Sequence, residues 1–324
     1  MRLGRVARSP VAAPARWLVR IVVLTAFALT VWLFGPRATE VLAAKFGQAA
    51  QQSPLVDLDR VGFLGRPDWV DRPLLLAICK DLGPWLQDEV PILDAAAARA
   101  LRDGLAGVPW ARDVRLERVF PDRFAVQLDL RRPVVGVRGY DGRPLCLIDR
   151  DGVALPWVDT PLPAVWLYRE GGAPTMRFEL GKPVAESRAL AAAAIAIEWR
   201  DEFAPLVPGC PALLEVDTTN LGERWMRGRG YPEVRVKLRR EDGAPVIFAY
   251  DRPVDSPMPR VPITTKAAVL GKVLGKHPGL RGLIAGDLRL QNRWADYLQP
   301  RDAGVPDPDA PWNAIEVEAS ARRR

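Results

Sequence analysis

The residue types that most often carry catalysis are sparse in this chain of 324 residues. His277 is the single histidine, and it precedes Pro278 and Gly279 at the end of a predicted helix. A histidine at that position caps the last carbonyl groups of the helix. A catalytic triad would need a serine and a carboxylate beside it, and the Gly-x-Ser-x-Gly motif that presents such a serine does not occur. The sequence therefore predicts no nucleophilic hydrolase site.

The segment LGKVLGKHP, residues 270–278, resembles a phosphate-binding loop in composition only. Gly271 and Gly275 have the wrong spacing, and His277 stands where a serine or threonine would bind magnesium. Acidic pairs such as Asp149 and Asp151 are typical of turns rather than of a glycosidase pair. The 11 tryptophans are dispersed, which favours core packing over sugar stacking. We therefore expect a protein without enzymatic activity, cofactor or metal ion.

Cys79, Cys146 and Cys210 lie far apart and lack the Cys-x-x-Cys or Cys/His spacing of a metal site. They are interpreted as small buried apolar side chains. One disulfide between two of them is the alternative if their domain lies outside the cytoplasm.

The formal net charge of +7 is concentrated at the two ends of the chain. The arginines concerned are Arg2, Arg5, Arg8, Arg16, Arg20, Arg322, Arg323 and Arg324. The chain between them is close to neutral, so no basic groove is implied and nucleic acid is not expected as a partner.

An apolar segment near the amino end predicts a membrane span. Residues 17–34 read WLVRIVVLTAFALTVWLF, with Arg20 as the single charge. At about 1.5 Å per helical residue the segment is roughly 27 Å long, close to a bilayer core of about 30 Å. We predict a transmembrane helix over residues 17–35, in which Arg20 snorkels to the headgroups. Trp17 and Trp32 lie where interfacial aromatic residues are expected.

The basic leader, residues 1–16, stays in the cytoplasm according to the positive-inside rule. The protein is then a single-pass protein of the cytoplasmic membrane, with the chain beyond about residue 36 exported. The alternative is a cleaved signal peptide. The apolar run 21–34 has a signal-like length, and VLAA at 41–44 has the small residues of a cleavage region. Both interpretations export the rest of the chain.

The exported part begins with a predicted stalk, residues 36–54, and continues into a domain over residues 55–155. The predicted elements there are a strand at 56–63, a helix capped by Asp71 that runs to Gly83, and a helix capped by Asp94 and ended by Gly104, Gly107 and Pro109. Trp110, after the second helix, is predicted to be a packing anchor.

Two alternating segments follow and predict a β-hairpin. The apolar face consists of Val114, Leu116 and Phe120 in the first strand and of Phe124, Val126, Leu128 and Leu130 in the second. Pro121 and Asp122 suit the turn between them, and Pro133 ends the second strand. Arg118 falls on the apolar phase and is the exception. A third short strand, 146–148, is predicted to turn between Asp149 and Gly152.

The second exported domain is predicted over residues 156–299, with a disordered tail at 300–324. Its predicted elements are helices at 187–199 and 264–277, strands at 212–217, 234–238 and 246–250, and a late strand within 282–292. The fold class is therefore α+β: one transmembrane helix, a β-α-α-β-β domain, and a second mixed-sheet domain with helices.

The order of the first domain, with these residues, resembles a POTRA domain and more narrowly that of the FtsQ/DivIB family of bacterial cell-division proteins. The motifs concerned are Val56, Gly62 and Gly65; Leu105-x-x-Val108-Pro109-Trp110; Arg118-x-x-Pro121-Asp122; Val126-x-Leu128; Arg131-x-Pro133; and Leu147-Ile148-Asp149-x-x-Gly152. The second domain is similar in its lysine-containing helix, with Lys266, and in Asp287-Leu288-Arg289. The chain departs from the family at Leu130, where glutamate is usual, and at Leu290, where an aromatic residue is frequent.

The resemblance implies a non-enzymatic scaffold that links the cytoplasmic and periplasmic parts of the division machinery at mid-cell. In the family the late strand recruits the small coiled-coil proteins FtsB and FtsL by strand addition, and the POTRA domain contacts other division proteins. The implied partner residues here are Asp287, Leu288, Arg289, Leu290 and Asn292, and Arg118 in the first domain. The alternative for the late strand is that its residues close the sheet internally.

Two further function classes remain as alternatives. One is an anchored POTRA module for envelope assembly or secretion. Such proteins usually continue into a barrel, and the chain after Trp157 has too few alternating segments for one. The other is an anchored cell-wall enzyme, which the sequence disfavours because it has no nucleophile motif, metal ligands or paired acids.

Overall fold

The fold class is α+β, as predicted, and the structure contains one large sheet and few helices. The computed structural model describes residues 40, 41, 43–48, 55–57, 67–86, 89–120, 123–139, 141–167, 177–223, 226, 227 and 231–300. The chain divides into two compact units. The small unit comprises Met1–Arg60, Gln87–Arg102 and Leu116–Val126, and the large unit comprises Val61–Leu86, Asp103–Arg115 and Gln127–Arg324.

The small unit contains a short pair of strands and the start of a helix. Strand β1, Leu55–Asp57, pairs antiparallel with β2, Glu89–Pro91. Helix α2, Ala95–Ala106, begins after Asp94, whose Oδ1 accepts the N–H groups of Ala96 and Ala97 at 2.8 and 3.1 Å. A side-chain cap of this kind satisfies amide groups that have no partner within the helix, so the predicted start of this helix is confirmed.

Helix α1, Arg72–Leu86, belongs to the large unit and is longer than predicted. Asp71 caps it as expected, because Oδ1 accepts the N–H of Leu74 at 2.9 Å. The helix continues past Gly83 to Leu86. Trp85, in its last turn, lies so close to Gly104 that a β-carbon there would be 2.3 Å from the indole. This tertiary contact outweighs the local helix-ending tendency of Gly83 and Pro84.

Helix α2 ends in the large unit as predicted, with the N–H of Gly107 bonded to the carbonyl groups of Asp103 and Gly104. Trp110 follows and is fully buried, and its Nε1 donates to Oδ2 of Asp81 in α1 at 2.9 Å. A buried indole that also satisfies its N–H joins the end of α2 to α1.

The predicted hairpin is formed by β3, Ala111–Val119, and β4, Arg123–Leu130, which pair with each other. Phe124 is buried and the following residues alternate as expected. The placement of Phe120 on the buried face was wrong: β3 ends at Val119, and Phe120 is exposed in the turn. Pro121 and Asp122 lie outside the described residues.

The large unit is built on a nine-stranded sheet with the order β13-β12-β11-β10-β9-β8-β5-β6-β7. The strands are β5 Pro133–Gly139, β6 Pro144–Asp149, β7 Ala154–Leu155, β8 Ala164–Leu167, β9 Leu213–Asp217, β10 Val234–Arg239, β11 Pro245–Asp251, β12 Leu283–Asp287 and β13 Gln299–Pro300. The pairs β5–β8, β8–β9 and β11–β12 are parallel and the others antiparallel. Strands from before and after residue 155 thus belong to the same sheet.

Strand β5 was not predicted, and Pro133 begins it rather than only ending β4. Its first five residues are all buried, so the segment lacks the alternation that marks a half-exposed strand. Gly136 in its middle lies against Trp157, whose ring would be 3.0 Å from an added β-carbon.

Two helices pack on this sheet, as predicted. Helix α3, Ser187–Glu198, buries alanines that allow close approach, and it continues as a π-helical turn, Trp199–Phe203, and a 3₁₀ turn, Ala204–Leu206. Helix α4 is Ile263–Lys276, and further 3₁₀ turns are Pro278–Leu280 and Trp294–Tyr297. The predicted β10–β11 hairpin is confirmed, with Gly243 at a positive φ of 88° in its turn.

Within the described residues no helix is long and apolar enough to cross a membrane. The predicted transmembrane helix, residues 17–35, lies outside them together with Trp17, Arg20 and Trp32. Of the predicted stalk, residues 40, 41 and 43–48 are helical and exposed where described. Residues 301–324 also lie outside the described part.

Candidate partner-binding edge of the nine-stranded sheet

The first three residues of the predicted partner segment close the sheet on itself. Asp287 ends β12, and its carboxylate accepts the backbone N–H of Arg289 at 2.8 Å and the guanidinium at 2.7 Å. Leu288 is fully buried, and its N–H donates to the carbonyl oxygen of Ala249 in β11 at 3.0 Å. This is the geometry of the alternative in which the triplet completes the sheet internally.

Leu290 and Asn292 lie beyond the end of β12. Leu290 is half-buried, and Asn292 is exposed in a turn. Neither residue belongs to a strand, so neither offers an edge to an incoming chain.

Beyond β12 the sheet ends in β13, Gln299–Pro300, and β7 is the strand at its other end. After the 3₁₀ turn Trp294–Tyr297 the chain returns antiparallel to β12, with Pro300 opposite Leu283 and Gln299 opposite Ala285. In the part of the chain that the structure describes, no strand pairs with the outer side of β13. Sequence reasoning missed this strand because two residues, one of them proline, form no periodic pattern.

The residues before β13 attach it to the core. Leu298 and Trp294 pack against the hydrophobic core, while Tyr297 is 46% exposed. Gly286 in β12 lies under this segment, because an added β-carbon would be 2.6 Å from the ring of Phe248 and 3.1 Å from Leu298. A glycine is thus needed for the close approach of the return segment. We call Trp294–Tyr297 together with Leu298 and β13 the edge segment.

A buried charge cluster lies in the same unit and consists of Glu198, Tyr250, Asp251, Arg260 and Lys266. Glu198, at the end of α3, accepts two hydrogen bonds from Arg260 at 2.7 and 2.8 Å, and one from the Tyr250 hydroxyl at 2.5 Å. These contacts connect α3, β11 and the loop before α4 through one carboxylate that is 5% exposed.

Lys266, in helix α4, is completely buried. Its Nζ lies 3.4 Å from Oδ2 of Asp251, 3.8 Å from Oε1 of Glu198 and 3.9 Å from the centre of the Tyr250 ring. Among the described residues it has ion-pair and cation–π contacts but no partner in hydrogen-bond geometry.

The electrostatic environment of the cluster is strongly perturbed. Burial acts to raise the pKa of Glu198, but hydrogen bonds from Arg260 and Tyr250 outweigh it and hold that pKa below its ordinary value. Burial lowers the pKa of Lys266, although Asp251 and Glu198 oppose the change. Burial and the neighbouring Glu198 raise the pKa of Tyr250 far above its ordinary value. Glu198 is therefore ionised in the folded protein.

Arg118 lies in the small unit at the exposed end of β3. Its Nε donates to the carbonyl oxygen of Ile92 at 2.8 Å, in the segment between β2 and α2. This bond explains why a charged residue interrupts the apolar phase of the strand, since it satisfies a backbone acceptor of a neighbouring segment. The contact is structural, and the side chain remains exposed.

Asp149 and Gly152 form a tight turn after β6. The buried Asp149 carboxylate accepts the N–H groups of Asp151 and Val153 and is bonded to the Arg131 guanidinium at 2.8 Å. Gly152 has a φ of 76°, and its N–H donates to the Asp149 carbonyl. An aspartate that accepts three hydrogen bonds fixes this turn, as the motif of the sequence requires.

The residues described do not form a metal centre. They contain no group of three histidine, cysteine or acidic residues placed to hold a metal ion. The three cysteines are free, and burial raises the pKa of the Cys146 thiol to about 12 and that of Cys210 to about 11. His277 caps α4 through its backbone N–H, which donates to Val273 at 2.7 Å.

Neither a protein-family model nor a curated protein matches this chain.

Proposed function

We propose that this chain is a non-enzymatic, membrane-anchored scaffold of the bacterial cell-division machinery, of the FtsQ/DivIB type. In this proposal it recruits small single-span coiled-coil proteins, FtsB/FtsL-like, by strand addition and connects them to septal wall synthesis. The observation that carries the proposal is that β13 is the end strand of a nine-stranded sheet and has an unpaired outer side among the described residues.

The physical basis is the backbone of an open strand. An incoming strand pairs with N–H and C=O groups that the sheet leaves free, and its side chains determine which partner is accepted. Pro300 offers no N–H group, so the hydrogen-bonded part of such an interface is short. A short ladder must be supplemented by side-chain contacts, and exposed aromatic residues are the usual source of binding energy.

Tyr297 supplies such a residue next to β13. Its ring is about half exposed, while the neighbouring Trp294 and Leu298 are held against the core. A rigid support under an exposed aromatic side chain lowers the entropic cost of binding. The proposed partner site is therefore the edge segment rather than the predicted residues Asp287–Asn292.

The test uses the full chain, fused to a fluorescent protein, with the substitution Tyr297→Glu. A buried carboxylate in an apolar contact is costly, so the variant should lose co-purification of small single-span proteins and its mid-cell accumulation. Tyr231→Glu is the matched control, because Tyr231 is similarly exposed at 51% in the same unit and does not belong to the edge segment.

Uniform labelling of the envelope by the unsubstituted fusion, with no small partner co-purified, would contradict the division function. Retention of partners by Tyr297→Glu would place the interface elsewhere. Circular dichroism of both variants should match that of the unsubstituted protein, since both side chains are exposed.

A further inference from the structure

Two arginines flank the same end of the β5–β6 pair. Pro133 at the start of β5 pairs with Asp149 at the end of β6. Arg132 and Arg150 are each one residue beyond this pair, and both are exposed. The antiparallel register therefore brings two positive charges to one end of the ladder.

A third arginine joins them from the helix layer. Arg200 lies in the π-helical turn after α3, a helix that packs on β5 and β6. Its guanidinium is bonded to the neighbouring Asp201 at 2.6 and 3.0 Å. The hydrogen bond from Arg200 lowers the pKa of Asp201 against the effect of burial, and the charges of Arg150 and Arg132 lower it further, so the three arginines lie within electrostatic range of one carboxylate.

The adjacent carboxylates are already used by other arginines. Asp149 is bonded to Arg131 at 2.8 Å, and Asp151 pairs with Arg112 at 3.1 Å. Within the described residues, neither the Arg132 nor the Arg150 side chain has a hydrogen-bond partner or a carboxylate within ion-pair distance. Burial and the nearby Arg200 lower the pKa of Arg132, while the charge of Asp201 opposes the change.

Like charges on neighbouring strand positions disfavour the fold. In the described chain Asp201 offsets them, but this carboxylate is already bonded twice to Arg200. An anion supplied from outside would relieve them further. Guanidinium groups bind carboxylates and phosphates through paired N–H donors, so either group matches the available chemistry.

We propose that Arg132, Arg150 and Arg200 form a docking surface for an acidic segment of a partner protein. The alternative anion is a membrane surface, and the local charges argue against it. Asp149, Asp151 and Asp201 lie among the arginines and would be repelled by a continuous negative surface. A peptide can place its carboxylates opposite the arginines alone. This surface lies towards the β7 end of the strand order, whereas the edge segment lies at the β13 end.

The test measures binding of a fluorescein-labelled helical peptide with glutamate at every fourth position to the full chain in nanodiscs of zwitterionic lipid. The double variant Arg132→Gln/Arg150→Gln should bind about tenfold more weakly, the effect of losing two exposed charge pairs. The control Arg115→Gln/Arg293→Gln removes the same net charge from exposed arginines that pair with Asp113 and Asp296, and it should bind as the unsubstituted chain does.

Three results would overturn the proposal. The first is the absence of peptide binding by the unsubstituted chain. The second is equal weakening in the control pair, which would indicate a response to net charge only. The third is that the chain does not bind the peptide, while nanodiscs containing the chain float together with anionic vesicles and lose this association when Arg132 and Arg150 are substituted. Because this readout involves neither Tyr297 nor mid-cell accumulation, its failure is separable from failure of the proposed function.

Discussion

The buried charge cluster and the edge segment lie in the same unit. Polar groups are paired in the cluster, whereas polar backbone groups lack a strand partner at the edge. In the cluster, Glu198 and Arg260 are satisfied by each other, and the charge of Lys266 is balanced by two carboxylates. At β13, backbone groups on one side are left without a strand partner in the described chain, and this strand is two residues long.

This difference shows that the residues that stabilise the fold are separate from those available for association with a partner. A buried carboxylate with three donors has one good arrangement, so the cluster fixes α3, β11 and α4 relative to one another. An open strand accepts any chain with suitable backbone groups, and therefore its length and its proline must restrict what binds. The first region should respond to substitution in stability and the second in association.

The largest expected effect comes from Glu198→Ala. The substitution leaves the buried Lys266 and the half-buried Arg260 as incompletely compensated cations, so the free energy of unfolding should fall by about 3–5 kcal/mol. Urea denaturation followed by circular dichroism measures it. Glu202→Ala, at an exposed position in the following π-helical turn, is the control and should change stability by less than about 0.5 kcal/mol. Equal effects would mean that the cluster does not organise the unit.

An acid-dependent loss of stability is expected from the same carboxylate. The folded-state pKa of Glu198 is below its ordinary value, so its contribution is fully present above the unfolded-state pKa and is lost as pH falls through the folded-state pKa. Glu198→Gln should be less stable at neutral pH, and its stability should fall less steeply on acidification. Urea denaturation from about pH 7 to about pH 3 covers this range.

Part of the acid sensitivity should persist in Glu198→Gln. Burial acts to raise the pKa of Asp217, but Arg235 and Thr219 outweigh it and hold that pKa low, so Asp217 contributes with the same sign. Identical pH profiles for the variant and the unsubstituted chain would show that Glu198 is not a source of the effect.

The smallest effect on stability, and the clearest one on association, is expected from Pro300→Val. The substitution restores a backbone N–H and a residue with high β propensity on the end strand, so self-association should increase while stability changes by less than about 0.5 kcal/mol. Sedimentation velocity of the full chain in detergent measures it. Pro205→Val, at an exposed position in a 3₁₀ turn, should leave the oligomeric state unchanged.

Much of the fold could be predicted from local signals. Asp71 and Asp94 were recognised as helix caps because their acceptor groups act within three residues. The β10–β11 hairpin followed from alternation around a glycine turn. Strand β5 could not be predicted because burial on both faces removes alternation, and β13 is too short to have a period.

The buried charge cluster was harder to predict because its contacts are distant in sequence. Glu198 is bonded to residues 52 and 62 positions further along the chain, and no local pattern indicates such a pair. The triplet from Asp287 to Arg289 was predicted to be a partner-binding segment. Its role in the fold depends on Ala249 in β11, with which Leu288 pairs, and that neighbour is visible only in three dimensions.

The position of β13 at the end of the strand order has a consequence for biogenesis. Strand β12 joins β11 in parallel, across the whole of α4, and β13 joins only β12. Since β12 and β13 are the last strands along the described chain, the edge is synthesised after the rest of the sheet. A chain that is unfinished, truncated or misfolded then lacks the surface that we propose its partners bind. Assembly through this edge would thus include only molecules in which the whole sheet has formed.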